Sequence, residues 1–319
     1  VWLGDAWWGA NRFEIKTERF YNYRHDKSAA NGLMNREIWS VAKDSLNQIW
    51  LGANQGWLHR YDRKHDNFMP VQVNPKLNPN RIMTLFEDDL GGLWVGADNG
   101  LFHKKKEVTD VVFQLYEERG EHTVKPRNAA IRSIFQDSKG NMWFGSGGGG
   151  VYYWDKQADT FKEYLPEDGL ANNYVNGILE DSNGHLWFAT GDGLSRFNPK
   201  TQTFKTYTAQ HGLPGDLYQR LKAVKLESGE LVFGGSGGLT IFQPEDIFEN
   251  TYVPPVVITD FHVFNRSVIP GEILDGAKEP MLINAIGHAK SLTLNYKQSV
   301  FTFYFSALNY DIAQENSYA

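Results

Sequence analysis

Short runs of alternating apolar and polar residues recur along most of the chain, separated by turns rich in Gly, Asp and Asn. In one unit the runs fall at 173–179, 186–188, 194–197 and 203–207, and Asp181–Gly184 joins the first two. Alternation of this kind predicts β-strands, while Asp and Gly suit a tight turn that needs a side-chain cap and a positive φ. We therefore expect four antiparallel strands in the unit and no helix.

The same unit recurs along the chain with a nearly constant period. A Trp, or Val232 in the last copy, marks the second strand at positions 2, 50, 94, 143, 187 and 232, with intervals of 48, 44, 49, 44 and 45 residues. That period is close to the length of a four-stranded propeller blade. Leu226 replaces the turn Asp in the last copy, and Asn47 replaces the turn Gly in an earlier one. The repeat predicts an all-β chain with about five to six blades of a β-propeller.

A second all-β domain is expected after the repeat ends. Residues 1–250 are assigned to the propeller and residues 251–319 to an Ig-like β-sandwich, with Pro254-Pro255 as a stiff linker. Alternating segments predict sandwich strands at 256–265, 291–296 and 301–310. Because the chain starts inside a repeat and stops without a closing signal, we expect it to be an internal fragment with blades missing upstream and a sandwich cut short.

The composition excludes several kinds of functional site but does not identify one. The 319 residues are 41% hydrophobic and carry a net charge of −6, with no Cys and a mean hydropathy of −0.48. Disulfides, thiolate metal sites and a Cys nucleophile are thereby excluded, and the acidic balance argues against nucleic acid as a partner. The nine His residues show no spacing typical of a metal site. We therefore expect neither a metal nor another cofactor.

The repeat resembles a known family. The string Ile-x-x-Asp-x-x-Gly-x-Leu-Trp-Phe-Gly-Thr-x-x-Gly-Leu is similar to the two-component regulator propeller repeat. The segments 254–261 and 301–310 resemble the tyrosine-rich sandwich domain that follows it in that family. The resemblance implies two seven-bladed propellers in the complete sensor, with most of the second in this chain. The same resemblance implies a place on the periplasmic face of the bacterial inner membrane. It also implies an oligosaccharide ligand, a homodimer formed through the sandwich and membrane-proximal region, and an output such as a histidine kinase or diguanylate cyclase beyond Ala319.

Three motifs suggest enzymes, but the repeat explains each of them. The run Gly145–Gly150 precedes a strand, whereas a phosphate-binding loop precedes a helix. Ser236 lies in a G-x-S-x-G string but aligns with Thr190, Ser146 and Ala53 of other blades. The turn Asp residues resemble the aspartate box of sialidases, although the Asp–Trp spacing differs by one. We predict no catalytic residue in this chain.

Ligands of propellers bind where the starts of the inner strands converge on the central channel, a concave and rigid place. Counting back five and eight positions from each turn Asp gives side chains that differ between blades. Those with chemistry suited to sugars, which need aromatic stacking and polar groups for hydroxyls, are Arg36, Trp39, Asn80, Arg132, Asn173, Asn176 and Tyr218. Trp7, Trp8 and Trp57, beside other turns, are expected to pack on the next blade.

The expected function is therefore a non-enzymatic extracytoplasmic sensor that binds a carbohydrate and passes the signal through the sandwich to the output. Two alternatives remain open from the sequence. One is a propeller enzyme, a lyase or glycosidase acting on polysaccharide. The other is a propeller that binds a partner protein and no small ligand.

Overall fold

The computed structural model describes residues 1–26, 32–73, 81–106, 113–115, 126, 129–247, 255–273 and 278–308. Two compact units divide the chain, Val1–Ile247 and Phe248–Ala319. The division lies close to the expected boundary between residues 250 and 251. Strands dominate both units, and the helices in the described residues are short 3-10 turns.

In its described residues, the first unit forms six antiparallel sheets that follow one another along the chain. Four have four strands, and the first and last have three. In chain order the strands are β1 (Trp2–Asp5), β2 (Gly9–Glu14), β3 (Arg19–Tyr23), β4 (Ile38–Lys43), β5 (Ile49–Ala53), β6 (Trp57–Asp62), β7 (Asn67–Gln72), β8 (Ile82–Glu87), β9 (Leu93–Ala97), β10 (Gly100–Lys104), β11 (Gln114–Leu115), β12 (Ile131–Gln136), β13 (Met142–Ser146), β14 (Val151–Asp155), β15 (Thr160–Tyr164), β16 (Val175–Glu180), β17 (Leu186–Thr190), β18 (Gly193–Asn198), β19 (Thr203–Tyr207), β20 (Tyr218–Lys225), β21 (Leu231–Gly235) and β22 (Gly238–Phe242).

The first strands of successive sheets lie side by side, from β4 through β8, β12 and β16 to β20. This is the order of inner strands in a propeller, and each sheet is one blade. Blade 1 is β1–β3, blade 2 is β4–β7, blade 3 is β8–β11, blade 4 is β12–β15, blade 5 is β16–β19 and blade 6 is β20–β22. The predicted four-stranded blade is confirmed in blades 2 to 5.

The recurring Asp and Trp are hydrogen-bonded to each other in blades 2 to 5. In blade 4 the Asp137 carboxylate accepts the indole N–H of Trp143 at 2.9 Å and the backbone N–H groups of Lys139 and Asn141 at 3.0 and 2.9 Å. The pairs Asp44–Trp50, Asp88–Trp94 and Asp181–Trp187 bond in the same way, at 2.8 to 2.9 Å. One carboxylate thus caps the turn and satisfies the polar atom of an aromatic ring packed between blades.

Small residues follow each Trp because the next blade approaches closely there. A Cβ on Gly145 would lie 2.8 Å from the Val175 side chain of the next blade and 2.3 Å from Ser133 Oγ on the paired strand. Gly52 and Gly96 are similarly crowded by Ile82 and Ile131. Blade 5 carries Ala189 at this position, and its cross-strand partner is Gly177 instead of Ser or Thr. The two positions compensate for each other in volume.

The described part of the second unit forms a three-stranded antiparallel sheet in the order β24-β23-β25. Its strands are β23 (Val256–Val263), β24 (Arg266–Ser267) and β25 (Phe301–Ala307). The predictions at 256–265 and 301–310 are thus confirmed in position, although residues 309–310 lie outside the described part. The predicted strand at 291–296 is wrong, since that segment is irregular, with Leu292 and Leu294 packed on the small core around Phe261.

Candidate functional site

The inner strands of blades 2 to 5 share a β-bulge one residue after they begin. In blade 2, Ile38 pairs with Ala53 and Ser40 pairs with Gly52, which leaves Trp39 without a partner. The same irregularity isolates Met83, Arg132 and Asn176 in the next three blades. A bulge leaves its extra residue outside the regular ladder and re-aims its side chain. These are the four positions reached by counting back five from the turn Asp, and we call the side of the propeller that carries them the bulge face.

Bulge residues of adjacent blades are hydrogen-bonded to each other. Arg132 of blade 4 donates from Nη1 to Asn176 Oδ1 of blade 5 at 3.1 Å. Asn176 in turn donates from Nδ2 to the backbone carbonyl of Tyr218 in blade 6 at 2.8 Å. A guanidinium and an amide thus connect three consecutive blades on the bulge face. Three of the predicted residues are brought together here.

Trp39 is paired with a residue that the sequence reasoning did not select. The guanidinium carbon of Arg81, at the start of blade 3, lies 5.3 Å from the centroid of the Trp39 ring. Arg81 is fixed from the other side by an ion pair with Asp98 of its own blade, at 2.6 Å. The indole Nε1 of Trp39 is buried and has no hydrogen-bond acceptor among the described residues. The Trp39 ring therefore lies beneath a guanidinium group, and its indole N–H has no acceptor among the described residues.

The remaining predicted residues have different environments. Arg36 is exposed just before β4, and Asn80 lies outside the described residues. The backbone carbonyl of Asn173 accepts two N–H groups from the loop of the preceding blade, at Gly148 and Gly150. Tyr218 is 1% exposed, and its hydroxyl is hydrogen-bonded to Thr240 Oγ1 at 2.8 Å. Burial raises the pKa of Tyr218, and its ring offers no surface for stacking; its contribution to this face is the carbonyl bound by Asn176.

One recurrent position escaped the sequence reasoning, namely the residue seven before the turn Asp. Its carbonyl accepts a backbone N–H from the turn after the second strand of its own blade in four cases: Asn54 to Glu37, Asp98 to Arg81, Gly147 to Ala130, and Gly191 to Tyr174. Two of these side chains lie beside bulge residues, Arg81 over the Trp39 ring and the Tyr174 ring beneath Arg132. Counting back seven as well as five and eight would have found Arg81 and Tyr174.

The glycine run of blade 4 is explained by Arg132. A Cβ on Gly147 would lie 2.3 Å from Arg132 Nε and 2.7 Å from its guanidinium carbon. On the other side, the centroid of the Tyr174 ring lies 5.0 Å from the same carbon. The run joins β13 to β14, so the expectation of a turn between strands is confirmed. Its function in this fold is to let a guanidinium lie against the backbone.

The other expectations about aromatic and enzyme-like motifs have mixed outcomes. Ser236 lies in the turn between β21 and β22, without a helix, as the blade alignment predicts. Trp57 packs against the core of blades 1 and 2. Trp7 and Trp8 were expected to pack on the next blade, which is wrong, because they are 66% and 67% exposed in the loop between β1 and β2. Backbone N–H groups of both bond to the Asp5 carboxylate, which turns the chain there without burying the rings.

Among the described residues, no group of His, Asp and Glu is arranged to hold a metal ion. None of the helices in that part of the chain has the length and hydrophobicity that a membrane span requires.

Comparison with known proteins identifies the repeats. Residues 76–99, 126–148 and 169–192 match the two component regulator propeller family, which confirms the resemblance inferred from the repeat. The chain is 26% identical over 312 residues to histidine kinase P4 of Formosa agariphila, which covers 96% of this chain and 22% of that protein. The chain thus spans about a fifth of the length of this curated relative.

Two solved structures share the fold. The extracellular domain assigned to a hybrid two component system of B. thetaiotaomicron aligns with 98% of this chain and 45% of its own length, at a TM-score of 0.54 and 23% identity. A second extracellular domain from that organism, assigned to a one component system, aligns with 96% of this chain and 45% of its own, at 0.60 and 19%. At these identities the likeness is one of fold. The sandwich part of the resemblance is not among the matched repeats and stays a prediction.

Proposed function

We propose that this chain, which carries two-component regulator propeller repeats, is the ligand-sensing extracytoplasmic region of a membrane-bound regulator of the hybrid histidine kinase type. The matched repeats, the histidine kinase relative and the extracellular domains of similar fold support the sensor assignment. A place on the periplasmic side of the bacterial inner membrane follows from the proposal. So do a homodimer through the second unit and an output in the cytoplasm.

The proposed ligand is an oligosaccharide bound on the bulge face. The observation that carries this proposal is that one backbone irregularity recurs in four consecutive blades while its side chain changes from Trp39 to Met83, Arg132 and Asn176. A constant scaffold with variable side chains on one face is suited to selective binding. Aromatic, guanidinium and amide groups also match a sugar, which offers an apolar C–H face and many hydroxyls.

An enzyme acting on polysaccharide is a weaker hypothesis. Glycoside cleavage needs two carboxyl groups that converge on one bond. The recurrent carboxylates Asp44, Asp88, Asp137 and Asp181 are all occupied by turn backbone and by indole N–H groups. The propeller's most regular acidic feature is therefore structural.

The test is calorimetric titration of the full-length protein with neutral, uronic and sulfated oligosaccharides. Saturable heat with at least one class is expected, and an Arg132→Gln variant should bind that ligand more weakly. Release of shorter products during incubation would favour the enzyme instead. Absence of binding across the panel, together with capture of a protein partner, would contradict the proposal.

A further inference from the structure

Tyr174 differs from the residues at equivalent positions of other blades. Glu37 and Arg81 bind the turns of their own blades, through Asn54 Nδ2 at 2.8 Å and Asp98 Oδ2 at 2.6 Å. Tyr174 makes no such side-chain bond to its own turn, and it is 48% exposed. By contrast, Trp143 and Phe188 of blades 4 and 5 are 3% and 0% exposed. Because half of the Tyr174 side chain is exposed although its backbone is fixed, packing in the core does not explain why an aromatic residue stands here.

Tyr174 is held by backbone contacts with its own blade and with blade 4, and its ring contacts Arg132. Its backbone N–H donates to Asn172 Oδ1 at 2.8 Å, and its carbonyl accepts from Gly191 at 3.0 Å. An isolated bridge links Tyr174 to Gly147 of blade 4. The Arg132 guanidinium carbon lies 5.0 Å from the ring centroid, within the range of a cation–π contact. One face of the ring is therefore covered by a cation, and the exposed area remains for another contact.

Polar groups suited to hydroxyls lie next to the ring. Asn172, whose Oδ1 holds the Tyr174 backbone, donates from Nδ2 to Asp192 Oδ2 at 2.7 Å. Asp192 is exposed, and it retains a second carboxylate oxygen as an acceptor. The neighbouring residue Gly193 donates its N–H to the backbone carbonyl of Asp216 at 2.6 Å, while the Asp216 carboxylate accepts the backbone N–H of Ala209.

We propose that Tyr174 is a stacking platform for one uncharged pyranose unit of the ligand, with Asp192 accepting hydrogen bonds from its hydroxyl groups. An apolar C–H face of a sugar fits the exposed ring, whereas a uronate or sulfate group would be repelled by the Asp192 carboxylate. Arg132 is engaged with Tyr174 and Asn176, so its charge orients the platform. This inference rests on the proposed function and adds a subsite and a sugar class to it.

The experiment compares four proteins, all full length: wild type, Tyr174→Ala, Tyr174→Phe and the control Tyr296→Ala. Tyr296 is an exposed tyrosine of the second unit, at 87%. The probes are cellotetraose, xylotetraose, laminaritetraose and galactotetraose as neutral sugars, with tetragalacturonate as the acidic counterpart of the last. Affinity is measured by calorimetry, and saturation-transfer NMR identifies which sugar protons contact the protein.

A neutral probe should bind, and Tyr174→Ala should weaken it about tenfold, the equivalent of about 1.4 kcal/mol. Tyr174→Phe keeps the ring and should stay within about threefold of wild type, and Tyr296→Ala should leave affinity unchanged. Equal affinity of wild type and Tyr174→Ala, or binding of tetragalacturonate alone, overturns this inference and leaves the proposed function standing. Failure of every sugar in this and the wider panel overturns both.

Discussion

At the scale of single residues, the hydrogen-bonded Asp–Trp pair is the feature by which the repeat is recognised in the sequence. Replacing Asp137 with Ala leaves the buried indole N–H of Trp143 without an acceptor and uncaps two backbone N–H groups. We expect a loss of about 2–3 kcal/mol in the free energy of unfolding, since bonds to a charged acceptor are lost in a site that excludes water.

The matched control is Asp155→Ala. Asp155 also caps two backbone N–H groups, of Gln157 and Ala158, but no indole N–H bonds to it among the described residues. Chemical denaturation should show a loss below about 1 kcal/mol for this variant. Similar losses for the two variants would mean that the indole bond adds nothing.

We expect the stability of the propeller to depend on pH through His59. It is completely buried in blade 2, and its Nε2 accepts the backbone N–H of Met34 at 2.9 Å, so the neutral ring is the form that fits. Burial lowers the pKa of His59 to about 4 from an ordinary 6.5, and the nearby His25 shifts it in the same direction. Between these values the unfolded chain takes up the proton and the folded chain does not. Stability should therefore fall as the pH drops from 6.5 towards 4, by up to about 1.4 kcal/mol per pH unit.

The measurement is the midpoint of urea unfolding between pH 4 and 7.5 for the wild type and for His59→Gln. The slope in the acidic part of this range should be smaller in the variant, whatever its absolute stability. His288→Gln, at an exposed position of the second unit, should keep the wild-type slope. An unchanged slope in His59→Gln would refute the assignment.

At the scale of strands and blades, volume is conserved across pairs of positions rather than at each one. Gly145 faces Ser133 on the paired strand, whereas blade 5 has Ala189 facing Gly177. Gly145→Ala should cost about 1–3 kcal/mol through contact with Ser133 and Val175. Adding Ser133→Gly should recover part of the loss, and a double-mutant cycle by thermal unfolding measures the coupling. Additive effects would show that the two positions are independent.

The sequence was sufficient for features that recur as residue types, and insufficient for those that depend on register. Asp and Trp are recognisable because they form the same bond in blades 2 to 5, and Gly because it makes the same close approach in blades 2 to 4. The bulge is invisible in the sequence, because Trp39, Met83, Arg132 and Asn176 share a backbone irregularity and no chemistry. Tyr218 suited a sugar by type, but a neighbouring strand buries it. The segment 291–296 alternates like a strand, yet it packs on the core of its unit as an irregular segment.

At the scale of the whole propeller, a second set of contacts links blades 2 to 5 in succession, on the side opposite the bulge face. The residue after the turn Asp donates to the last side chain of the following inner strand: Ser45 to Glu87, Asp89 to Gln136, and Ser138 to Glu180. Glu180 is also bound through its carbonyl by Lys225 of blade 6 at 3.1 Å. The bulge network of Arg132, Asn176 and the Tyr218 carbonyl spans the same three blades on the other face. Blades 4 to 6 are therefore connected at both ends of their inner strands.

Because of this double connection, we expect a substitution that destabilises one blade to increase local unfolding in the neighbouring blade as well. Glu180→Ala removes the acceptor for both the N–H and the hydroxyl of Ser138, at 2.7 and 2.8 Å, and should cost about 1–2 kcal/mol. Glu180→Gln keeps an acceptor oxygen, as Gln136 does for Asp89, and should cost less. Hydrogen exchange should accelerate in β12 and β13 of blade 4 as well as in β16 of blade 5, because opening of one inner strand releases the turn of the preceding blade. Glu227→Ala, at an exposed turn of blade 6, is the control and should alter neither blade; acceleration confined to blade 5 in Glu180→Ala would show that the blades open independently.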